Sequence, residues 1–252
     1  MSDTATGKLV WDKTGEHYWE TGCSHGVLYV QNASGEYPKG VVWNGLTAVT
    51  ESPSGAEAND MYADDIKYAS IRSAETFGGT IEAYTYPDEF LECDGGASPI
   101  SGVVIGQQNR NPFGFSYRTK VGNDTASETD DSEKIHLIYN ATASPSEKGY
   151  QTVNESPEAI TFSWEITTTP VPISYAGFKP TACLTIDVAK LKAAGKETEL
   201  AELEDILYGK DAVAAVEADL EHNIQAQEAV AATNARLPLP DEVLEVLGYN
   251  PD

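Results

Sequence analysis

Positive charge is scarce in this sequence: 16 Lys and Arg stand against 40 Asp and Glu in 252 residues, a net charge of −24. A nucleic-acid groove uses Lys and Arg to displace counterions, so this balance argues against one. A field of one sign acts over distance, so repulsion of DNA remains open as a function. Cysteine is scarce too. Cys23, Cys93 and Cys183 lie far apart with no CxxC spacing, which argues against a disulfide framework and fits synthesis in a reducing compartment. No run approaches the ~20 apolar residues of a spanning helix, and no membrane partner is expected. Met1–Val10 lacks an apolar core, so no signal peptide is expected there. The N-x-S/T patterns headed by Asn32, Asn123, Asn140 and Asn154 are therefore read as chance matches. There is no G-x-S-x-G elbow, the four His have no recognisable frame, and no glycine-rich turn joins a strand to a helix as a phosphate cradle would.

Turns and alternation are what the chain has. Gly 21 and Pro 13 imply many short elements. In "AITFSWEIT", Ile160, Phe162, Trp164 and Ile166 share one face and Thr161, Ser163 and Glu165 the other, the period of a half-buried strand. Phe113, Phe115 and Tyr117 repeat the pattern against Gly114, Ser116 and Arg118, as do Ile135, Leu137 and Tyr139, and Ala182, Leu184 and Ile186. "GVLYVQ", "GVVWNGL", "IKYASIR", "TIEAYTY" and "GVVIG" are shorter candidates. Turn-rich stretches such as "ESPSGAEAND" and "DGGASPISG" separate them. About eight or nine strands at this spacing predict a mainly β chain, an antiparallel β-sandwich or barrel.

The character changes at Asp187. Leu200, Leu203, Ile206 and Leu207 recur at helical spacing and predict one flanking α-helix over about 187–208, with Asp187 as N-cap and Gly209 as stop. Residues 1–209 thus read as a β-domain with this helix. Val213, Val216, Leu220 and Ile224 predict a helical insert over 210–235, of no assigned role. Residues 236–252 read as a C-terminal arm, extended at "RLPLP", with Pro240 opening a last helix and Asp241 and Glu242 in its first turn. Leu237, Leu239, Val243 and Leu244 would be its docking side chains.

Two clusters could carry chemistry. Asp88, Glu89, Glu92 and Asp94 crowd one loop after "GGTIEAYTYP", as a metal site, an acid/base pair or plain surface. They do not follow the D-x-D-x-D-G calcium pattern. The strand before them is expected over Thr80–Tyr86, ended by Pro87. His17, Cys23 and His25 are possible zinc ligands, but a fourth would have to come from afar, from His136 or Cys93. In both places the polar-surface reading outweighs the metal reading. Trp11, Trp19, Trp43, Tyr84 and Tyr86 are candidates for a sugar-binding face, while Trp164 is expected in the core.

Several long strings, taken together and in order, resemble the major tail proteins of long-tailed, non-contractile bacteriophages. They include "GVVWNGLTAVTESPSGAEANDMYADDIKY", "SAETFGGTIEAYTYPDEFLECDG", "IGQQNRNPFGFSYRTKVGND", "KIHLIYNATASPSEKGYQTVNESPEAITFSWEITTTPV" and "GFKPTACLTID", with "LYG" and "RLPLPDEV" near the end. They span about Trp19 to Asp187 and the C-terminal end. The resemblance implies a β-sandwich or barrel of the tail-tube type with a flanking helix. It implies a structural virion protein, made in the host cytoplasm, whose hexameric rings stack into the hollow tail tube. The implied partners are other copies of the chain, tail proteins at the tube ends, and phage DNA passing without specific binding. No enzyme activity and no cofactor are implied. Glu82 and Glu165 are then candidate lumen-facing acids, and Asp88, Glu89, Glu92 and Asp94 a candidate inter-subunit loop. "TASETDDSE" and Lys210–Ala235 depart from the family pattern. The alternative function is a carbohydrate-binding β-sandwich on a virion surface.

Overall fold

Alternating side chains build much of the described chain into antiparallel β structure. The computed structural model describes residue 9 and residues 11–125, 132–152, 159–212 and 231–250. The strands are β1 (Tyr18–Val30), β2 (Gly40–Trp43), β3 (Leu46–Glu51), β4 (Ser54–Gly55), β5 (Ala58–Ala63), β6 (Ile66–Arg72), β7 (Glu75–Thr76), β8 (Gly78–Ala83), β9 (Ala97–Ile100), β10 (Val103–Ile105), β11 (Phe113–Asn123), β12 (Ser132–Ala143), β13 (Phe162–Thr168) and β14 (Cys183–Asp187). The helices are α1 (Val188–Ala193), α2 (Glu197–Tyr208) and α3 (Pro240–Val246). The main sheet runs β2-β1-β11-β12-β13-β8-β3, and β14 also pairs with β12.

β12 serves two neighbours in succession. Lys134–Ile138 pairs with β14, and Ala141–Ala143 pairs with β13. Between them Asn140 takes φ 48°, and the register against β11 slips, as at a β-bulge. The β13-β8-β3 portion then lies across β1 and β11. Leu28, Phe113, Phe115 and Ile138 meet Ile81, Trp164 and Ile166 in one core. Trp43 lies edge-on to both Phe115 and Trp164, with centroids 5.5 Å away in each case.

A second core covers the opposite face of β1, β11 and β12. Tyr29, Ile135, Leu137 and Tyr139 receive Leu200, Leu203 and Leu207 of α2, together with Leu237 and Val243. The face of β11 expected to be polar is this helix-docking face instead. Gly114 and Ser116 are buried, because small side chains there leave room for Tyr37 and Leu237 and for the Tyr29 hydroxyl. The apolar–polar alternation was sound, but both faces of these central strands are covered.

Other boundaries also differ from expectation. "GVVWNGL" is two strands, β2 and β3, broken at Asn44 and at Gly45, which has φ 78°. "DGGASPISG" and "ESPSGAEAND", read as turns, contain β9, β4 and the start of β5. Ile160 precedes β13 and stays exposed. The single helix over 187–208 is two, because Gly195 takes φ 76° and stops α1. Asp187 caps α1 through Lys190 N–H at 3.0 Å, and Gly209 ends α2 at φ 81°. Val213, Val216, Leu220 and Ile224, with most of the 210–235 insert, lie outside the described residues, as does most of "TASETDDSE". Pro240 does open a helix, with Asp241 and Glu242 in its first turn.

Leu203 is fully buried against the sheet, whereas Glu202 is exposed. Leu203→Ala is expected to cost about 2–5 kcal/mol in urea unfolding, while Glu202→Ala stays within about 0.5 kcal/mol of the parent.

Candidate functional site

The acidic loop grows out of an early strand end. β8 stops at Ala83, short of the expected Tyr86, where its pairing with β13 ends at Phe162. Tyr84 N–H turns to Gly45 C=O at 2.9 Å, and Trp43 Nε1 donates to Thr85 C=O at 2.8 Å. Tyr86 therefore swings into the core, 5.4 Å from Trp164. Pro87 leads into a 3-10 turn over Asp88–Glu92.

That turn places Phe90 among Trp43 (4.5 Å), Trp164 (5.1 Å) and Phe113 (5.4 Å). Its carboxylates point apart. Glu89 pairs with Lys39 at 3.1 Å. Glu92 accepts from Asn111 Nδ2 at 3.1 Å. Asp94 accepts from Lys148 at 2.6 Å and from Arg110 at 3.4 Å, and Arg110 also donates to Ala143 C=O at 3.1 Å. Asp88 is exposed. Burial first, then Glu92 and Asp94, push the Cys93 thiol up to about 12, so it is no nucleophile near neutral pH. The loop is an aromatic plug at one end of the core, tied down by three ion pairs.

The other candidates do not converge either. His17 pairs with Asp124 at 3.0 Å, His25 with Ser24 at 2.9 Å, and Cys23 lies half-buried at the core margin. Among the described residues no three His, Cys, Asp or Glu side chains form a metal-binding group. Trp43 joins Trp164 in the core and Tyr86 packs against it. Trp11, Trp19 and Tyr84 remain exposed, so the sugar-platform reading loses two of its aromatics.

Glu82 and Glu165 do share a face. Glu82 lies opposite Ser163, and Glu165 opposite Thr80, while Ile81, Trp164 and Ile166 fill the core behind them. The arm docks on its own chain. Leu237 bridges to Tyr37 and is buried with Val243, whereas Leu239 is exposed and Leu244 half-buried.

Two features escape sequence reasoning. The first is a polar group at the far end of the core. His136 stacks on Tyr117 at 4.6 Å and 6°. Thr119 donates to Glu20 at 2.7 Å, so His136 Nε2, 2.9 Å from the same hydroxyl, must be its donor. The Tyr117 hydroxyl donates to Glu51 at 2.8 Å. His136 beside it, then Tyr117, hold the Glu51 carboxyl below its usual value against the pull of burial. Lys134 first, then Thr119, do the same for Glu20. No spacing rule links these residues, which come from four strands.

The second feature is a long projecting hairpin. β3 and β8 continue outward as the β4–β7 and β5–β6 pairs, ending in a tip at Asp64 and Asp65, with φ 52° and 61°. The pairings Asn59↔Ile71, Met61↔Ala69 and Ala63↔Ile66 put Met61, Ile66 and Ile71 on one face. Asp60 and Lys67, paired at 2.7 Å, occupy the other. All three apolar side chains are exposed, Ile66 by 64%. The alternation was visible in "IKYASIR" but not in its partner, which opens inside a Gly- and Ser-rich stretch. The shorter β9–β10 hairpin likewise exposes Ile100 and Val103.

No family model matches the chain, and no curated protein matches it.

If the loop is a plug, Phe90→Ala is expected to cost about 3–5 kcal/mol in chemical unfolding, and Asp88→Asn to leave the midpoint within error. A lowered carboxyl contributes stability that is present above its unfolded value of 4.5 and lost as pH falls through its folded value. Glu51→Gln is therefore expected to lower the unfolding midpoint at neutral pH, and the gap from the parent to shrink as the pH falls below 4.5.

Proposed function

We propose that this chain is a structural subunit that assembles with copies of itself into hexameric rings. The rings stack into the hollow tail tube of a long-tailed bacteriophage, through which DNA passes during ejection. One observation carries the reading: the long hairpin presents Met61, Ile66 and Ile71 on a face that nothing among the described residues covers. A two-stranded hairpin is marginal in water by itself. An exposed apolar edge of this kind is an aggregation hazard in a monomer and an interface in an assembly. A contact between unlike surfaces that does not close on itself generates a filament.

Three further points support this reading. β2 and β3 are the outer strands of the main sheet, so a neighbour can extend it. The long strings named above resemble the tail-tube family and cover most of the strands. The charge suits a conduit, since six copies at −24 each put −144 on one ring. Lumen-facing Glu82 and Glu165 would repel DNA within about 8–10 Å at physiological salt.

Electron microscopy of the purified chain over a range of concentrations tests the proposal. Hollow tubes or six-fold rings are expected, and a strictly monomeric species throughout overturns it. Met61→Asp with Ile71→Asp is expected to abolish assembly while leaving the unfolding midpoint of the monomer unchanged. Glu82→Lys with Glu165→Lys is expected to leave tubes intact and slow ejection. Normal ejection kinetics would remove these two acids from the lumen.

A further inference from the structure

The hairpin root borders a cleft of about 860 Å³ between residues 72–77 and the 170–183 segment. Its walls include Phe77, Pro170 and Pro180, and its charged groups are Arg72, Lys179 and Glu75. Cations are few in this chain, and most are already held by carboxylates: Lys39 by Glu89, Lys67 by Asp60, Lys134 by Glu20, Lys148 by Asp94, and Arg118 by Glu133 and Glu204. Among the described residues neither Arg72 nor Lys179 has such a partner. The described acids of this acidic chain thus leave two cations open in one apolar-walled cleft. Such a cleft takes a carboxylate-bearing segment with apolar flanks.

The hairpin tip has that chemistry. Asp64 and Asp65 form the turn, both in the left-handed region that favours glycine. Neither is paired among the described residues. Tyr62 and Ile66, both exposed, flank them. The tip cannot reach its own cleft. Asp65 and Arg72 lie at opposite ends of the length of β6, roughly 23 Å apart at ~3.3 Å per residue.

We infer that the Asp64–Asp65 tip of one copy docks in the Arg72–Lys179 cleft of another. The inference rests on the assembly reading and assigns it a specific contact. The tip and the cleft are different surfaces, so each copy gives one and receives one. Contacts of this kind propagate instead of closing as a two-fold pair. The carboxylates meet the two cations, and Tyr62 and Ile66 meet the proline and phenylalanine walls. Glu75, which also lines the cleft, disfavours a deeper acidic insertion.

Charge reversal tests the contact. D64K/D65K and R72E/K179E, made separately in the full chain, are each expected to lower the assembled fraction at least about tenfold in sedimentation and microscopy. The four changes together restore the pairing with its signs exchanged and are expected to recover assembly. Carbodiimide coupling of a mixture of isotopically light and heavy copies is expected to join Asp64 or Asp65 of one to Lys179 of the other. Normal assembly of either double variant overturns the contact and leaves the assembly reading standing. So does failure of the fourfold variant to recover, or an absence of mixed-isotope links in assembled material. Failure of the unaltered chain to assemble overturns both.

Discussion

The fold turns on one bulge. At Asn140 the β12 backbone enters the left-handed region and its amide leaves the sheet ladder. The Tyr37 hydroxyl takes that amide at 2.9 Å, which avoids the ~1–3 kcal/mol cost of a buried unpaired donor. Tyr37 is held in turn by Gln31 at 3.1 Å and by Leu237 N–H on its carbonyl at 3.2 Å. Before the bulge β12 belongs to the layer under the helices. After it, β12 belongs with β13 and β8. The same bulge that bends the sheet over Phe113 and Phe115 therefore seats the C-terminal arm through Tyr37.

This arrangement separates a well-packed body from projecting parts. The body has two apolar cores, one on each face of β1, β11 and β12, and the acidic loop plugs an end of one of them with Phe90. The long hairpin springs from β3 and β8, which are anchored in the body by Val49 and Ile81. Beyond that anchor its side chains meet solvent. A rigid root with an apolar, unpaired extension suits a part whose partner lies outside the chain. Glu51, at the root, is tied to Tyr117 and lies 3.7 Å from His136. The hairpin's departure angle is thus set by polar contacts as well as by the ladder.

Much of this was legible locally, and some was not. Phe162, Trp164 and Ile166 announced a strand with one apolar side, and Leu200, Leu203 and Leu207 announced a helix that must dock, because burial repeats at the period of the backbone. The four acids after Pro87 were legible as a cluster but not as divergent. Their directions are set by Lys39, Asn111, Arg110 and Lys148, which come from elsewhere in the chain. Phe90 at their centre gave no periodic signal, since a single side chain in a loop has no period. The His136 group was invisible for the same reason: its members become neighbours only through strand register.

By itself, then, the sequence determined the antiparallel β character, the docking stripe of α2, the caps at Asp187 and Gly209, and the excess of negative charge. Each of these is written in residue type and short-range spacing. Only the tertiary structure decided that Gly114 and Ser116 face a second core, that Tyr86 turns inward, and that the C-terminal arm closes on its own chain. It also decided that Met61, Ile66 and Ile71 stand uncovered while Arg72 and Lys179 share a cleft. Those outcomes depend on which strands meet across long stretches of chain, and on the bulge that changes a strand's partners midway. Neither leaves a period in the sequence.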